Sequence, residues 1–279
     1  MTTLHPRPAL AEPPEVPRRP RSRRWGGPAT VGVLLAVWAL HGTGVGPGSL
    51  LEGREAGARL VTGLLRPDLS PAFLGEVASA ALQTVQIALA ALVLAVLLAA
   101  GLAVLISAVA GAPPVVRSGA RLLAAALRGV PELVWALVFV ATVGLGAAAG
   151  TYAIALHGAG MLAKLWSEQL DAVDPAPVEA VRLAGASRPA TLALAVLPQA
   201  RTGLASLLLY QFECNLRVAT IVGFVGAGGL GGRIDLSLRL FDYARLSTLV
   251  LATLVLVLVT DAVSRALRNR LGAAPGAAG

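Results

Sequence analysis

The sequence predicts an all-α polytopic membrane protein with about six transmembrane helices, and three observations lead to that prediction. First, 56% of the 279 residues are hydrophobic and only 14% are charged, with a mean hydropathy of +0.74. Soluble proteins carry about 25% charged residues, so this chain lacks the polar surface to cover a globule in water. Second, residues 77–116 contain no charged side chain. Third, the net charge of +8 comes from arginines in short segments that flank the apolar runs.

The remaining composition argues against several other classes of protein. Aromatic residues make up only 4% of the chain, and the arginines form no single basic face, so we expect no nucleic-acid partner. The one cysteine, Cys214, allows no intramolecular disulfide. His5, His41 and His157 lack metal-ligand spacing, and we expect neither a metal site nor a cofactor.

The first 28 residues are rich in proline and arginine, which predicts a disordered cytoplasmic tail. Residues 22–24, before the apolar run 31–40, show a likeness to a twin-arginine signal, so a cleaved signal peptide is one interpretation. No convincing small-x-small cleavage site follows, and the later spans need an inserted first helix for their orientation, so an uncleaved membrane anchor is favoured. A transmembrane domain is predicted over residues 29–271, followed by a flexible tail at residues 272–279.

The apolar runs place the individual spans. Residues 50–75 mix charges with prolines and predict an external loop with a short helix. The run 77–116 is longer than a ~30 Å hydrocarbon core requires, so we expect one span that tilts, projects or turns near residues 111–114. A glycine-rich external loop is predicted up to Tyr243. The predicted spans cover about 29–45, 77–116, 131–145, 150–165, 204–225 and 246–263.

The positive charges give the orientation of these spans. With both termini in the cytoplasm, 16 Lys and Arg residues fall inside and 6 fall outside, counted from the sequence. Cytoplasmic loops carry an excess of positive charge, so this count supports the orientation. It also places the polar segment at residues 174–198 in the cytoplasm.

That polar segment predicts a helix, a sharp turn and a second helix. Asp174 can cap a helix that begins at Pro175, because the first helical residue needs no N–H partner. Gly185 supplies the left-handed residue that ends this helix. Ser187 is predicted to cap a second helix, which Pro198 bends or ends.

The polar segment also resembles the EAA loop in membrane subunits of bacterial ABC importers. The resemblance rests on Glu179, Ala180, Gly185, Leu197 and Pro198. The sequence departs from the motif at Val181, in place of a second alanine, and at Ala195, where a larger aliphatic residue is common. The resemblance implies that this helical pair docks into an ATPase subunit and carries nucleotide-driven motion to the membrane helices.

Polar residues within the predicted spans are candidates for a translocation pathway or gate. Glu213, Asn215 and Arg217 lie near the centre of the fifth span, where a charge costs about 2.5 to 3.5 kcal/mol unless it faces protein or water. Glu213 and Arg217 share a helical face and can neutralise each other, either as an internal ion pair or as part of an anion pathway. Glu132 is predicted to cap the third span or to join a gate, and His157 to pack in bonded form among small residues.

Glycines 226, 228 and 231 satisfy the dinucleotide pattern G-x-G-x-x-G. That fingerprint works only between a strand and a helix in a βαβ unit, whereas here a membrane span precedes it. We therefore predict a close-packed, re-entrant bend instead of a nucleotide site.

Several segments together resemble the membrane subunit of phosphonate importers, within the type I importer permease fold. The resemblance covers about residues 83–271, and its segments are 128–140, 213–217, 223–231 and 261–270. Residues 82–88 resemble, more generally, the opening of the conserved transmembrane module of importer permeases. The resemblance to phosphonate importers implies import of phosphonate, or of phosphate or phosphite, by alternating access in the cytoplasmic membrane. It also implies three protein partners, besides the lipid bilayer: an ATP-binding subunit, an external phosphonate-binding protein and a second permease copy, most simply as a homodimer.

Two alternatives stay open. A permease for an amino acid or osmolyte would share the coupling loop, and the orientation of Arg217 towards the pathway would distinguish the two. An intramembrane enzyme would need Glu132, Glu213 or His157 to converge. No P-loop pattern is present and Lys164 is the only lysine, so we expect no catalysis by this chain and ATP hydrolysis by a partner.

Overall fold

The computed structural model describes residues 26–43 and 54–272, and every regular element within those ranges is a helix. A short π-helical segment, Leu192–Val196, precedes the helix Leu197–Val222, and a kinked segment, Gly223–Ala227, follows it, in which Val225 and Gly226 depart from helical geometry. The α-helices are α1 (Gly26–Gly42), α2 (Arg54–Leu64), α3 (Pro71–Ile106), α4 (Pro114–Gly129), α5 (Glu132–Val143), α6 (Ala147–Asp171), α7 (Pro175–Leu183), α8 (Arg188–Thr191), α9 (Leu197–Val222), α10 (Gly229–Arg239) and α11 (Tyr243–Arg270).

The chain divides into two compact units, one up to Ala58 and one from Arg59 onward. In the first unit, α1 is a 17-residue helix whose run 30–40 carries no charge. The Thr43 hydroxyl donates to Ala39 O (2.9 Å) just beyond its end. Within the described residues, all the candidate site residues lie in the second unit.

The centre of the second unit is the close packing of α3 against α6. Small residues recur along one face of α3, including Ala88, Ala91, Ala95 and Ala99, and each of these four is fully buried. The facing side of α6 is also built from small residues such as Ala153 and Ala159. Small side chains let two helical backbones approach closely, which is how helices associate where no water drives apolar burial.

A second layer closes around the start of α3. Phe73 and Val77 pack there with Leu230 of α10 and Leu249 of α11. Thr248 Oγ1 donates to Asp68 O (2.8 Å), and Ser247 Oγ donates to Leu64 O (2.6 Å), which ties the first turns of α11 to the segment before α3. The loop before α3 and the last helix are thus joined at one end of the molecule.

Three of the described helical stretches are long and apolar enough to cross a membrane: Pro71–Ile106, Arg188–Ala227 and Tyr243–Arg270. The pair Pro114–Gly129 and Glu132–Val143, bent by 84° at its break, brings the number to four if it forms one broken span. The sequence predicted about six. The all-α, multi-span fold class is confirmed, while two of the predicted spans correspond to α1, which is short, and α6, which is 25 residues long but contains His157 and Lys164.

Several predicted boundaries need correction. The run 77–116 forms one helix only as far as Ile106, and the predicted alternative of a turn near residues 111–114 is confirmed, since a turn with Gly111 at φ +73° separates this helix from α4. Residues 229–239, predicted as part of a loop, are the helix α10, whose i,i+4 pair of Asp235 and Arg239 (2.7 Å) favours helical structure. The predicted tails lie outside the described residues, apart from Gly26–Pro28 at the start of α1 and Gly272.

Candidate coupling segment and translocation pathway

The polar segment 174–198, which we call the coupling segment, folds largely as its residues predict. The Asp174 carboxylate accepts a hydrogen bond from Ala176 N (2.9 Å), so it caps α7 with Pro175 as the first residue. Gly185 adopts φ +83°, and the N–H of Ala186 donates to Val181 O (3.3 Å) as the turn closes. Ser187 occupies the N-cap position of α8, but its side chain makes no capping hydrogen bond.

One face of α7 is held by the protein and the other is free. Val178 is buried at 4% exposure and packs with Leu170, Val196 and Ala200. Glu179 and Ala180 are exposed, as is Gly185. Leu183, which the motif does not include, is 89% exposed and is the most exposed large hydrophobic side chain among the described residues.

Two arginines tie this segment to the turn between α3 and α4. Arg182 Nη2 donates to Val109 O (2.6 Å), and Arg188 Nη1 donates to Gly111 O (2.6 Å). Asp171, at the end of α6, accepts from Ser107 Oγ (2.6 Å) and from the backbone N–H of Ala108 (2.8 Å) in the same turn. The turn after α3 is therefore bonded both to the coupling segment and to the end of α6. The sequence shows the two arginines but does not indicate which groups they contact.

Pro198 does not end the second helix of the segment. Residues 188–222 form one continuous helical stretch, in which the π-helical residues 192–196 precede Pro198, and the chain kinks only later, at Val225 and Gly226. A wider π turn changes the hydrogen-bonding pattern just where proline lacks an N–H, so the helix continues without a break. Leu197 and Pro198 are exposed, while the neighbouring Val196 is fully buried.

The predicted pair of Glu213 with Arg217 does not form. Glu213, which is 8% exposed, accepts from Arg268 Nη1 of α11 (2.8 Å). Arg217 is half-exposed and contacts Asp261, which is also in α11 (3.3 Å), and Asp261 lies 4.0 Å from Arg265. These five residues form an ionic ladder between α9 and α11, which we call the α9–α11 ladder.

Asn215 faces a different neighbour from the ladder residues. Its Nδ2 donates to Ala88 O of α3 (3.3 Å), and its Oδ1 accepts from Gln211 Nε2 (2.9 Å). The side chain is 1% exposed. Asn215 therefore joins α9 to α3 inside the protein. Because its side chain is buried, no accessible surface supports the prediction that it lines a pathway.

Glu132 and His157 come together at the break between α4 and α5. His157 Nδ1 lies 3.1 Å from Val130 O, and its Nε2 lies 3.8 Å from the Glu132 carboxylate. Glu132 is the first residue of α5 and Pro131 occupies the cap position. The histidine of α6 thus binds the carbonyl that the helix break leaves free, in agreement with a bonded, structural histidine. Glu213 is not in this group.

The glycine-rich bend after α9 folds back along α3. Gly229 N donates to Gln83 Oε1 (2.9 Å) and Leu230 N donates to Thr84 Oγ1 (2.9 Å), whereas Arg233 pairs with Glu76 (2.7 Å). Seven residues of helix separate Glu76 from Gln83, so the bend reaches ~10 Å further along α3 than Arg233 does. A helix precedes these glycines in place of the strand that a dinucleotide fold requires.

A cavity of about 650 Å³ opens beside this bend. Gln83, Leu137, Gly226, Arg233 and Arg239 are among its lining residues. A β-carbon at Gly223, which lines the cavity, would lie 2.7 Å from Gly228 O, so this wall can form only where backbones meet directly. Within the described residues, no group of three His, Cys, Asp or Glu side chains is placed to hold a metal ion.

This architecture defines a class of membrane transport protein. The model of the family described as "Binding-protein-dependent transport system inner membrane component" matches residues 103–273. The chain belongs to this family, whose members are transport components of the inner membrane.

Curated relatives carry the resemblance further. The chain is 44% identical over 156 residues to the phosphite transport system permease protein PtxC of Stutzerimonas stutzeri, covering 56% of this chain and 57% of that one. It is 38% identical over 193 residues to the phosphate-import permease protein PhnE of Mycolicibacterium smegmatis, covering 69% and 36%. A putative cryptic phosphonate transport system permease protein of Escherichia coli K12, PhnE2, is 40% identical over 117 residues, covering 42% and 96%. The chain thus spans less than two thirds of the length of the first two.

Solved structures share the fold at low sequence identity. An inward-facing form of the MetNI methionine ABC transporter matches with a TM-score of 0.66 and 16% identity, covering 73% of this chain and 99% of the other. An amino acid ABC transporter crystallised with histidines matches with a TM-score of 0.58 and 19% identity, covering 79% and 98%. These similarities show that the fold is that of an ABC importer permease.

Proposed function

We propose that this chain is the permease subunit of an ABC importer that moves a phosphorus oxyanion, namely phosphonate, phosphite or phosphate, into the cell. Transport proceeds by alternating access in the cytoplasmic membrane, with both termini of the chain in the cytoplasm. A separate ATPase subunit binds the coupling segment 174–198, an external binding protein delivers the substrate, and a second copy of the permease completes the pathway.

The observation that carries this proposal is the way the coupling segment is attached. Its exposed face presents Glu179, Ala180 and Leu183 for a partner, while its buried face and its two arginines are bonded to α9 and to the α3–α4 turn. A displacement of α7 by a bound ATPase would therefore move the long helix 188–222 and the end of α3 together. The exposed Leu183 fits an apolar pocket on the partner, since a solvent-exposed leucine of this size contributes nothing to the isolated fold.

The substrate class rests on the relatives and on the charge of the α9–α11 ladder. The first two relatives are described as phosphite and phosphate-import permeases. The ladder contains three arginines and two carboxylates, and its half-exposed Arg217 keeps a net positive charge near the surface of α9. A fixed positive charge attracts an oxyanion, and Asp261 prevents Arg217 from holding it tightly.

The alternative substrate is an amino acid or osmolyte, since the coupling segment is shared among importers. The structural matches to methionine and amino acid transporters lie at 16% and 19% identity and bear on the fold alone. A role as an intramembrane enzyme is not favoured, because Glu132 and His157 are occupied at a helix break and Glu213 lies elsewhere.

The test is ATPase stimulation of the complete transporter in proteoliposomes with its binding protein. Methylphosphonate, phosphite, phosphate and methionine are each added to wild type, to Leu183→Asp and to the matched control Leu65→Asp, whose leucine is 77% exposed at the opposite end. We expect stimulation by a phosphorus oxyanion that is lost in Leu183→Asp and kept in Leu65→Asp. Stimulation by methionine alone would refute the substrate class, and equal activity of all three proteins would refute the coupling role of α7.

A further inference from the structure

A second cavity, of about 340 Å³, lies between α4 and α6 at the end of the molecule that carries the coupling segment. Its lining includes Arg121 and Arg128 from α4 and Lys164, Glu168 and Asp171 from α6. We call it the α4–α6 groove. It is separate from the α9–α11 ladder and from the cavity beside the glycine-rich bend.

Some charged side chains of this groove have ionic or hydrogen-bond partners within the described residues and others do not. Lys164 and Glu168 bind each other at 2.6 Å. Asp171 accepts from Ser107 Oγ and from two backbone N–H groups of the turn after α3. Arg121 and Arg128 are exposed and make no ion pair or hydrogen bond with any described residue. Both carboxylates of the groove are thus occupied, which leaves two free guanidinium groups on its rim.

The spacing of the arginines places them on one face of α4. Positions 121 and 128 are seven residues apart, or two helical turns, and so point in nearly the same direction. Ala120 and Ala124, buried against α6, adjoin this face. A single ligand with anionic oxygens can therefore contact both arginines at once.

The face of α4 that neighbours the two arginines is apolar and exposed, since Leu122 follows Arg121 directly and so lies about 100° further around the helix. Val115 is 81% exposed and Leu122 is 73% exposed, and Leu123 is also exposed beside them. The helix turns by 84° relative to α5 at the break that follows it. A helix with basic residues on one face and exposed aliphatic residues on the neighbouring face is typical of the boundary between lipid headgroups and acyl chains.

We infer that the α4–α6 groove binds the phosphate headgroup of an anionic phospholipid of the cytoplasmic leaflet, with Arg121 and Arg128 as its ligands. Guanidinium groups bind phosphate oxygens in paired hydrogen bonds, and basic pockets between membrane helices suit such headgroups. The apolar residues of α4 lie where the acyl chains would run, which favours a lipid over a free oxyanion. The inference rests on the proposed orientation, in which this end of the molecule is cytoplasmic.

The experiment is native mass spectrometry of the delipidated full transporter titrated with phosphatidylglycerol or with phosphatidylcholine of the same chains. The variants are Arg121→Ala/Arg128→Ala and the control Arg201→Ala/Arg270→Ala, which removes two other exposed arginines predicted on the same side. We expect wild type and control to prefer phosphatidylglycerol. The groove variant should bind it about 30-fold more weakly, which corresponds to about 1 kcal/mol for each arginine.

A second variant keeps the test decisive if the alanine protein folds poorly. Arg121→Lys/Arg128→Lys retains both charges and should bind phosphatidylglycerol within about threefold of wild type, since most of the attraction is electrostatic. Equal loss in the groove and control variants, or equal binding of both lipids, would overturn the inference. Displacement of phosphatidylglycerol by millimolar inorganic phosphate would assign the groove to a soluble oxyanion and would also overturn it.

The result is independent of the outcome for the proposed function, because lipid binding is measured without transport. Substrate-stimulated ATPase activity with no lipid preference would refute only the groove. A lipid preference in a transporter that no phosphorus oxyanion stimulates would leave the groove supported and refute the substrate class.

Discussion

The coupling segment and the α9–α11 ladder both contain residues whose spacing predicts local contacts, yet only the first helix of the coupling segment and its turn have the contacts predicted. In the coupling segment, Asp174 caps the helix that begins one residue later and Gly185 ends it. In the ladder, Glu213 and Arg217 stand four residues apart but each binds a residue of α11 instead.

This difference shows which contacts can be predicted from neighbouring residues in the sequence alone. A cap or a left-handed glycine acts on the backbone within a few residues, so no other part of the chain has to be known. A long side chain on a helix can reach a neighbour on its own helix or on the next one. Arg268 lies 55 residues from Glu213 in the sequence, and only the antiparallel packing of α9 and α11 brings the two together.

The largest effect is expected from removing the partner of the buried ladder carboxylate. Arg268→Met leaves Glu213 at 8% exposure without its cation, and we expect a loss of about 3 kcal/mol in the free energy of unfolding. Adding Glu213→Gln should recover most of that loss, because the uncompensated charge is then gone. Reversible unfolding in mixed micelles measures both effects, with Arg270→Met as the exposed control on the same helix. A loss in Arg268→Met that Glu213→Gln does not relieve would contradict the pairing.

The next effect concerns the turn of the coupling segment. Gly185 has φ +83° and open space around it, so Gly185→Val is opposed by backbone conformation and not by a clash. We expect a cost of about 2 kcal/mol at the turn, together with loss of substrate-stimulated ATPase activity. Gly119→Val is the matched control, since Gly119 also has open space but lies in a helix without positive φ. If both variants lost stimulation equally, the local explanation of the turn would be wrong.

A smaller effect is expected at the exposed part of the ladder. Arg217 and Asp261 are separated by 3.3 Å, with the arginine side chain 52% exposed. Solvent weakens such a pair, so Arg217→Met should change the free energy of unfolding by less than about 1 kcal/mol. Its effect should appear instead as a raised KM for oxyanion stimulation of the ATPase. A change in stability as large as that of Arg268→Met would show that the Arg217–Asp261 and Arg268–Glu213 pairs are equally important for the fold.

The smallest effect is a pH dependence of the stability contributed by Asp68, which lies just before α3 in the second unit. The pKa of Asp68 is lowered, chiefly by the backbone N–H of Ser70 that donates to its carboxylate and then by the Ser70 side chain and Arg245. A lowered pKa means that the contribution to stability is complete above the unfolded pKa, near 3.8, and is lost as the pH falls through the folded value.

Melting temperatures measured from about pH 5 downward test this dependence. Wild type should lose its advantage over Asp68→Asn as the pH falls below about 4. Arg245→Gln should keep most of the dependence, because the Ser70 N–H is the larger cause. A dependence abolished by Arg245→Gln would assign the effect to the ion pair.

The sequence by itself determined the fold class and, within residues 174–198, the first helix and the turn that ends it. Long uncharged runs can be buried only in a bilayer, and the helix starts and stops at Asp174, Pro175 and Gly185 depend on each residue's own backbone chemistry. The resemblance to importer permeases rested on Glu179, Ala180, Gly185, Leu197 and Pro198, which are also read from the sequence alone. The sequence also predicted that Glu213 and Arg217 face protein or water, because an isolated charge is costly in lipid.

Only the tertiary structure decided which partners those residues have. It paired Glu213 with Arg268 and buried Asn215 against α3. It continued the helix through Pro198, made a helix of residues 229–239, and left Leu183 exposed beside the coupling motif. Each of these depends on which helices lie next to each other, and helix periodicity fixes the direction of a side chain without fixing what stands opposite it.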